Sequence, residues 1–237
     1  MTWWHGENGY EVFFNRDELK TRPRALPPGP MISEAGVRYL APIDPHAGGS
    51  WMFANEHGLT VCLLNRWHQG ALAGNSAESD DSRSRGLLVL GFAEAATAGE
   101  VFTWLDELDC ALYRPFTLVA IDKEGAMAKA WDGRQLLDEA AEAPLTSSSY
   151  CFEEVKKSRR DRYQELEGPS PESLHKYQAG ELPCSAYTVR MNRPDAQTWS
   201  RSRLSVGPEH ISWQYLEELP DLVEESIEHN TKLELSL

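Results

Sequence analysis

Long apolar runs are missing from this chain. No stretch approaches the roughly 18 consecutive apolar residues that a membrane-spanning helix needs, and the first residues carry neither a basic segment nor an apolar signal core. A membrane partner is therefore not expected, and the cytoplasm is the expected setting. Cysteine is scarce as well: Cys62, Cys110, Cys151 and Cys184 stand far apart with no Cys-x-x-Cys pair, which argues against both a zinc site and a disulfide framework. Reduced, mostly buried thiols are expected. Cations are in deficit, with 23 Lys and Arg against 37 Asp and Glu and a net charge of -14. Such a surface repels a phosphate backbone, so no nucleic-acid partner is expected. The one dense basic run, Lys156, Lys157, Arg159, Arg160 and Arg162, alternates with acids in a helical pattern and reads as a solvated face.

What remains is an ordinary soluble composition, 41% hydrophobic and 25% charged over 237 residues, which suits one medium domain with a buried core. The expected domain covers 1–217, with 218–237 as an acidic tail or a docked helix. Oligomeric state is not legible.

Local patterns suggest the elements. Trp3-Trp4 and Tyr10 to Phe14 flank the turn His5-Gly6-Glu7-Asn8-Gly9, which predicts an N-terminal hairpin whose second strand runs into Asn15-Arg16-Asp17-Glu18. Five prolines between Thr21 and Pro30 predict an irregular surface segment. Strands are expected over Val37 to Ala41, Ser50 to Ala54 and Leu59 to Leu64, the last so apolar that both faces should be covered. Residues 67 to 84 read as a mobile loop. Leu87 to Phe92 and Val101 to Leu108 have helical spacing and split near Thr97-Ala98-Gly99. Phe116 to Ile121 and Ala126 to Trp131 read as strands, 152 to 166 and 171 to 178 as helices. Tyr187 to Met191, Thr198 to Leu204 and Ile211 to Tyr215 return to strand. Helices outside layers of sheet are compatible with this order.

Several motifs occur together. Phe13-Phe14-Asn15-Arg16-Asp17-Glu18 is followed by Thr21-Arg22-Pro23, then by Asp44-Pro45-His46-Ala47-Gly48-Gly49-Ser50-Trp51, then by Asn55-Glu56-His57-Gly58 through Leu64-Asn65-Arg66. Ser84-Arg85-Gly86, Arg114-Pro115-Phe116-Thr117-Leu118, Leu145-Thr146-Ser147-Ser148-Ser149 with Arg159, and Arg193-Pro194-Asp195-Ala196-Gln197-Thr198-Trp199-Ser200 extend the series. In content and order they resemble the NRDE family, which includes the eukaryotic Transport and Golgi Organisation proteins. The resemblance implies an α+β fold, a four-layer αββα sandwich of N-terminal-nucleophile (Ntn) hydrolase type. It also implies attack on a linear amide or related carbon–nitrogen bond of a small molecule, without a cofactor or metal.

In such enzymes the first residue supplies both the attacking atom and, through its own α-amine with an ordinary pKa of about 7.7 to 8.0, a base. The family starts Met-Cys-Thr, whereas this chain starts Met1-Thr2-Trp3-Trp4 and has no cysteine before Cys62. Three readings stay open: a nucleophilic Cys just upstream of Met1, lost by a truncated start; Thr2 freed by removal of Met1; or a binding protein without turnover, carrying haem or a lipid-like ligand.

The resemblance assigns Arg16 and Asp17 to orienting the amine and polarising the nucleophile, Asn65 to the oxyanion, and Ser147 to completing that site. Asn15, Gly49, Trp51 and Arg66 are expected to touch substrate. Against these stand plainer readings: a salt bridge at a strand end, a turn-forming Asn, a serine cluster capping a helix, and glycines for close backbone packing. Arg193 and Asp195 read as a structural pair. His46, His57 and His68 lie in successive loops and read as ordinary polar residues rather than metal ligands.

Overall fold

The structure, a computed structural model, describes residues 1–67, 83–219 and 226–235. The loop expected over 67–84 therefore falls almost wholly outside the described residues, as does His68. Strands β1 (Thr2–Gly6) and β2 (Gly9–Leu19) form the N-terminal hairpin, closed by Glu7-Asn8 with Gly6 opposite Gly9. Gly9 has φ +139°, and a Cβ there would stand 1.9 Å from the Val206 carbonyl oxygen. Both the backbone angle and the neighbouring strand demand glycine at this turn. β2 continues through Asn15, Arg16 and Asp17, so these residues lie within the strand rather than after it.

Two antiparallel sheets follow. The first has the order β1, β2, β10 (Ala196–Val206), β11 (His210–Glu218), β12 (Ser226–Glu234). The second runs in sequence order through β3 (Leu26–Ile32), β4 (Arg38–Ile43), β5 (Met52–Asn55), β6 (Thr60–Asn65), β7 (Phe116–Asp122), β8 (Gly125–Trp131) and β9 (Leu136–Glu139). Alternation along the strands sorts the core into two layers. Val12, Leu40, Met52, Cys62, Val119, Leu204 and Trp213 meet between the sheets. Phe53, Val61, Leu63 and Leu118 face the other way, onto helices α1 (Arg85–Leu90) and α2 (Ala98–Glu107). β6 is central and covered on both faces, as its composition predicts.

α2 starts at Thr97, whose side chain accepts the Glu100 N–H, and turns Val101, Phe102 and Leu105 inward; burying each such side chain is worth roughly 1.5–3 kcal/mol. On the outer face of the first sheet lie α3 (Phe152–Gln164) and α4 (Pro171–Ala179), the latter opened by a Ser170/Ser173 capping box with Pro at its first turn. Leu174, Tyr177 and Gln178 of α4 are buried, and its closest strand is β2. Helix, sheet, sheet, helix is the resulting order of layers.

Three sequence expectations are corrected. The proline-rich segment contains β3, because an edge strand can leave its missing N–H groups toward solvent. Tyr187 to Met191 is not a strand; bends there are tied down by side chains, with Asn15 Nδ2 donating to Val189 O and Arg159 Nε to Thr188 O. In place of a loose tail or docked helix, the acidic end contributes β12, which pairs with the whole of β11 and buries Leu233.

Tyr10 anchors one end of the sandwich: its hydroxyl lies 2.8 Å from Gly58 O, 2.9 Å from Thr60 Oγ1 and 3.0 Å from Ile121 O. Burial pushes its pKa upward, so it stays a neutral donor. Tyr10→Phe leaves buried acceptors unpaired and is expected to cost about 1–2 kcal/mol, measurable as a lower urea midpoint at unchanged slope; an unchanged midpoint would show that the tether is idle.

Candidate active site

At the opposite end of the sandwich the registers gather the start of β1, the ends of β2, β4 and β6, and the starts of β5, β7 and β10. Neighbouring residues of β2 point to opposite faces there. Arg16 joins Tyr10, Val12 and Phe14 on the side facing the second sheet, and its guanidinium lies 4.6 Å over the Trp51 ring. It is buried, 3.6 Å from Glu18 and 3.9 Å from Asp44, and Arg22 reaches the same Asp44 oxygen at 2.5 Å. Burial lowers the pKa of Arg16, resisted by those two carboxylates. Burial works against the Asp44 carboxylate too, yet bonds from Arg22 and the His46 N–H hold its pKa below the usual range.

Asp17 faces the other way, toward α3. Thr198 Oγ1 donates to it at 2.6 Å and Arg159 Nη2 stands at 3.3 Å. Arg159 is 9% exposed and lies four residues after buried Val155, on the inward face of α3. The basic run is thus not uniformly solvated. Arg159 and Thr198 both stand in the quoted motifs but receive no role at the site from them; their place in those motifs, and for Arg159 the i, i+4 spacing from Val155, were the available signals.

The α-amine of Met1 donates to Leu145 O at 2.7 Å, and Leu145 N returns a bond to Met1 O at 3.0 Å. Its pKa falls to about 5, chiefly through burial and secondarily through the charge of Arg159; Asp17 and Cys62 oppose the fall. The amine is therefore neutral near pH 7 and able to accept a proton. Cys62, on β6, is buried, and burial pushes its thiol up to about 12, which disfavours the reactive thiolate. Iodoacetamide is expected to modify exposed Cys151 in the native protein and to reach Cys62 and Cys110 only after unfolding, read by peptide mass mapping; early labelling of Cys62 would overturn that assignment.

The other candidates separate. Thr2 sits opposite Phe13, away from the inter-sheet face, 1% exposed with an unpartnered hydroxyl. Asn15 is spent on structure: its Nδ2 bridges Gln178 O at 3.1 Å and Val189 O at 3.0 Å. Asn65 ends β6 on the side of Val61 and Leu63, and its carbonyl accepts the Ser147 hydroxyl, which ties Ser147 to β6. Arg66 bonds Glu139 at 2.7 Å and Thr117 at 3.3 Å. Gly49 packs on Gly86: a Cβ at Gly49 would lie 2.4 Å from the Gly86 carbonyl carbon. Arg193 and Asp195 do pair, at 2.8 Å. Among the described residues no group of His, Cys, Asp and Glu is placed to hold a metal ion, and no helix is long and apolar enough to cross a membrane.

Two face-to-face antiparallel sheets between helical layers define an α+β, four-layer αββα sandwich of the Ntn-hydrolase type. In keeping with this, the chain superimposes on the N-acylethanolamine-hydrolyzing acid amidase ortholog of Caenorhabditis elegans with a TM-score of 0.59 at 12% identity, covering 96% of this chain and 95% of that one. A mutant of the conjugated bile acid hydrolase of Clostridium perfringens superimposes with a TM-score of 0.49 at 11% identity, covering 97% and 95%. No curated protein matches the sequence. Residues 3–168 match the Transport and Golgi organisation 2 family, and the chain belongs to that family.

Proposed function

We propose that this protein is a hydrolase of the N-terminal-nucleophile type, acting on a linear amide bond of a small molecule. The observation that carries the reading is the β1–β2 register. Thr2 pairs with Phe13 and Trp3 with Val12, and β2 runs on to Leu19. Continuing the same ladder, a residue two positions upstream of Met1 would stand opposite Arg16. It would share the face of Met1 and Trp3, which pack toward the inter-sheet core. That position would suit the Cys of a Met-Cys-Thr start. Such a thiolate would attack the amide carbon, the C–N bond would break as the amine leaves with a proton relayed through the α-amine, and water would then hydrolyse the thioester to a carboxylic acid. The unpaired cysteines suit a reducing cytoplasm.

The alternative is a binding protein for haem or a lipid-like ligand. It is favoured by the position of Thr2, whose hydroxyl is buried on the face of β1 away from Arg16 and whose nitrogen is in a peptide bond to Met1. Intact-mass and peptide mapping of the protein from its native source, followed by a screen of N-acyl amides, separates the two. The expected result is an N-terminal Cys whose alkylation abolishes amide hydrolysis. A native end at Met1 with no turnover, and a Soret band on haem titration, would sink the hydrolase reading.

A further inference from the structure

The charges at this end of the sandwich do not balance. Arg16 and Arg22 share Glu18 and Asp44, and Arg66 has Glu139. Arg85 and Arg114 are left over: among the described residues neither has a carboxylate at ion-pairing distance, although both are only partly exposed. Arg85 Nη1 donates to Pro115 O at 2.7 Å, and that carbonyl also accepts the Arg66 N–H, which fixes the guanidinium beside the ends of β6 and β7. Burial lowers the pKa of Arg85 to about 10, with the charges of Arg114 and Arg22 adding to the effect and Glu18 opposing it. Arg114 immediately precedes Pro115, whose carbonyl holds Arg85, so both cations belong to the start of β7. A cation that is desolvated beside other cations gains most from an anion supplied by a ligand.

A second, independent feature lies on the adjoining loop. Ser50 N bonds Gly86 O at 3.0 Å, so Trp51 follows directly on the contact with the start of α1. The indole Nε1 of Trp51 is buried and has no hydrogen-bond partner. A buried N–H without an acceptor is costly, and a bound oxygen would relieve it. Met1, Trp3, Leu64 and Leu145, like Trp51 itself, are partly buried and pack against the inter-sheet core.

We propose that Arg85, backed by Arg114, together with the Trp51 indole N–H, binds a carboxylate on the substrate, so that the preferred ligands are anionic amides of the N-acyl amino acid class. The guanidinium fork matches the two oxygens of a carboxylate, and the apolar surface takes the acyl chain. This inference rests on the amide-hydrolase reading for the word substrate, but the binding site itself does not need turnover.

The test is equilibrium binding by tryptophan fluorescence, using N-octanoylglycine and its uncharged counterpart N-octanoylglycinamide. The acid is expected to bind at least about tenfold tighter than the amide, with the preference shrinking as salt rises. Arg85→Gln should bring the two probes within about twofold, Arg114→Gln should weaken the preference partly, and Arg85→Lys should retain part of it. Should Arg85→Gln fail to fold, Arg114→Gln and the probe pair still decide. Equal binding of both probes by the unaltered protein, no binding of either, or a preference that survives in both Gln variants overturns the inference. Hydrolysis is scored on the native-source protein: if that form carries the upstream Cys and prefers the acid without hydrolysing it, the enzyme is refuted and the site kept; equal hydrolysis of acid and amide by that form would do the reverse.

Discussion

Asp17→Asn is expected to abolish amide hydrolysis, by at least about 100-fold in kcat, and to lower stability by about 2–3 kcal/mol. The size of the stability loss follows from the position of the pair. Asp17 accepts from Thr198 at 2.6 Å and faces Arg159 at 3.3 Å, with the two charged side chains 22% and 10% exposed. Removing one member of a fully buried pair costs about 3–5 kcal/mol, and the residual exposure here brings the figure down. The catalytic loss follows from place: Asp17 stands next to Arg16 on β2, so its carboxylate would favour the protonated form of the α-amine on the residue that the proposal sets opposite Arg16. The double variant Asp17→Asn with Arg159→Met removes the orphaned charge as well, and should regain part of the lost stability while hydrolysis stays absent. Urea midpoints and initial rates on the same preparations check both. Hydrolysis that returned in step with stability would reduce Asp17 to a structural residue.

Gly49→Ala is expected to lower stability by about 2–3 kcal/mol, near the top of the range for overpacking, because the added methyl meets backbone rather than a movable side chain. The Cβ would lie 2.4 Å from Gly86 C and 2.6 Å from Leu87 N. Gly29→Ala, with nothing within 4 Å of its Cβ, serves as the control and should change stability by less than about 1 kcal/mol. Both are read as shifts in chemical denaturation midpoint. If Gly49→Ala proved neutral and only ligand binding suffered, the glycine would be there for a ligand's approach, as the resemblance implied. The contact with Gly86 also carries the loop that holds Trp51, so weaker stacking of Arg16 on that ring should accompany the loss.

Most of the strands and helices were legible because burial patterns leave local marks. The apolar run of β6 and the period-3.6 spacing of α2 each report on their own neighbourhood. β3 and β12 were hidden for a physical reason: an edge strand needs neither an apolar face nor all its N–H groups, so Leu26-Pro27-Pro28 and Glu228-His229-Asn230 look like loop until a partner strand lies beside them. At the site, the motif around Asn15, Arg16 and Asp17 was visible, but its residues were expected to act together. Alternation along one strand sends Arg16 toward Trp51 and the second sheet, and Asp17 toward α3.

By itself the sequence determined the family and the class of fold, since these rest on composition, periodicity and motif order carried in single segments, and it pointed to a candidate site near the end of β2. Tertiary structure alone decided which side chains share the site. Asp17 meets Thr198, 181 residues away along the chain, and Arg159, 142 away, while Arg85 is left without a counterion among the described residues. Such pairings depend on register between distant strands and on the seating of helices against a sheet, and no local pattern encodes either.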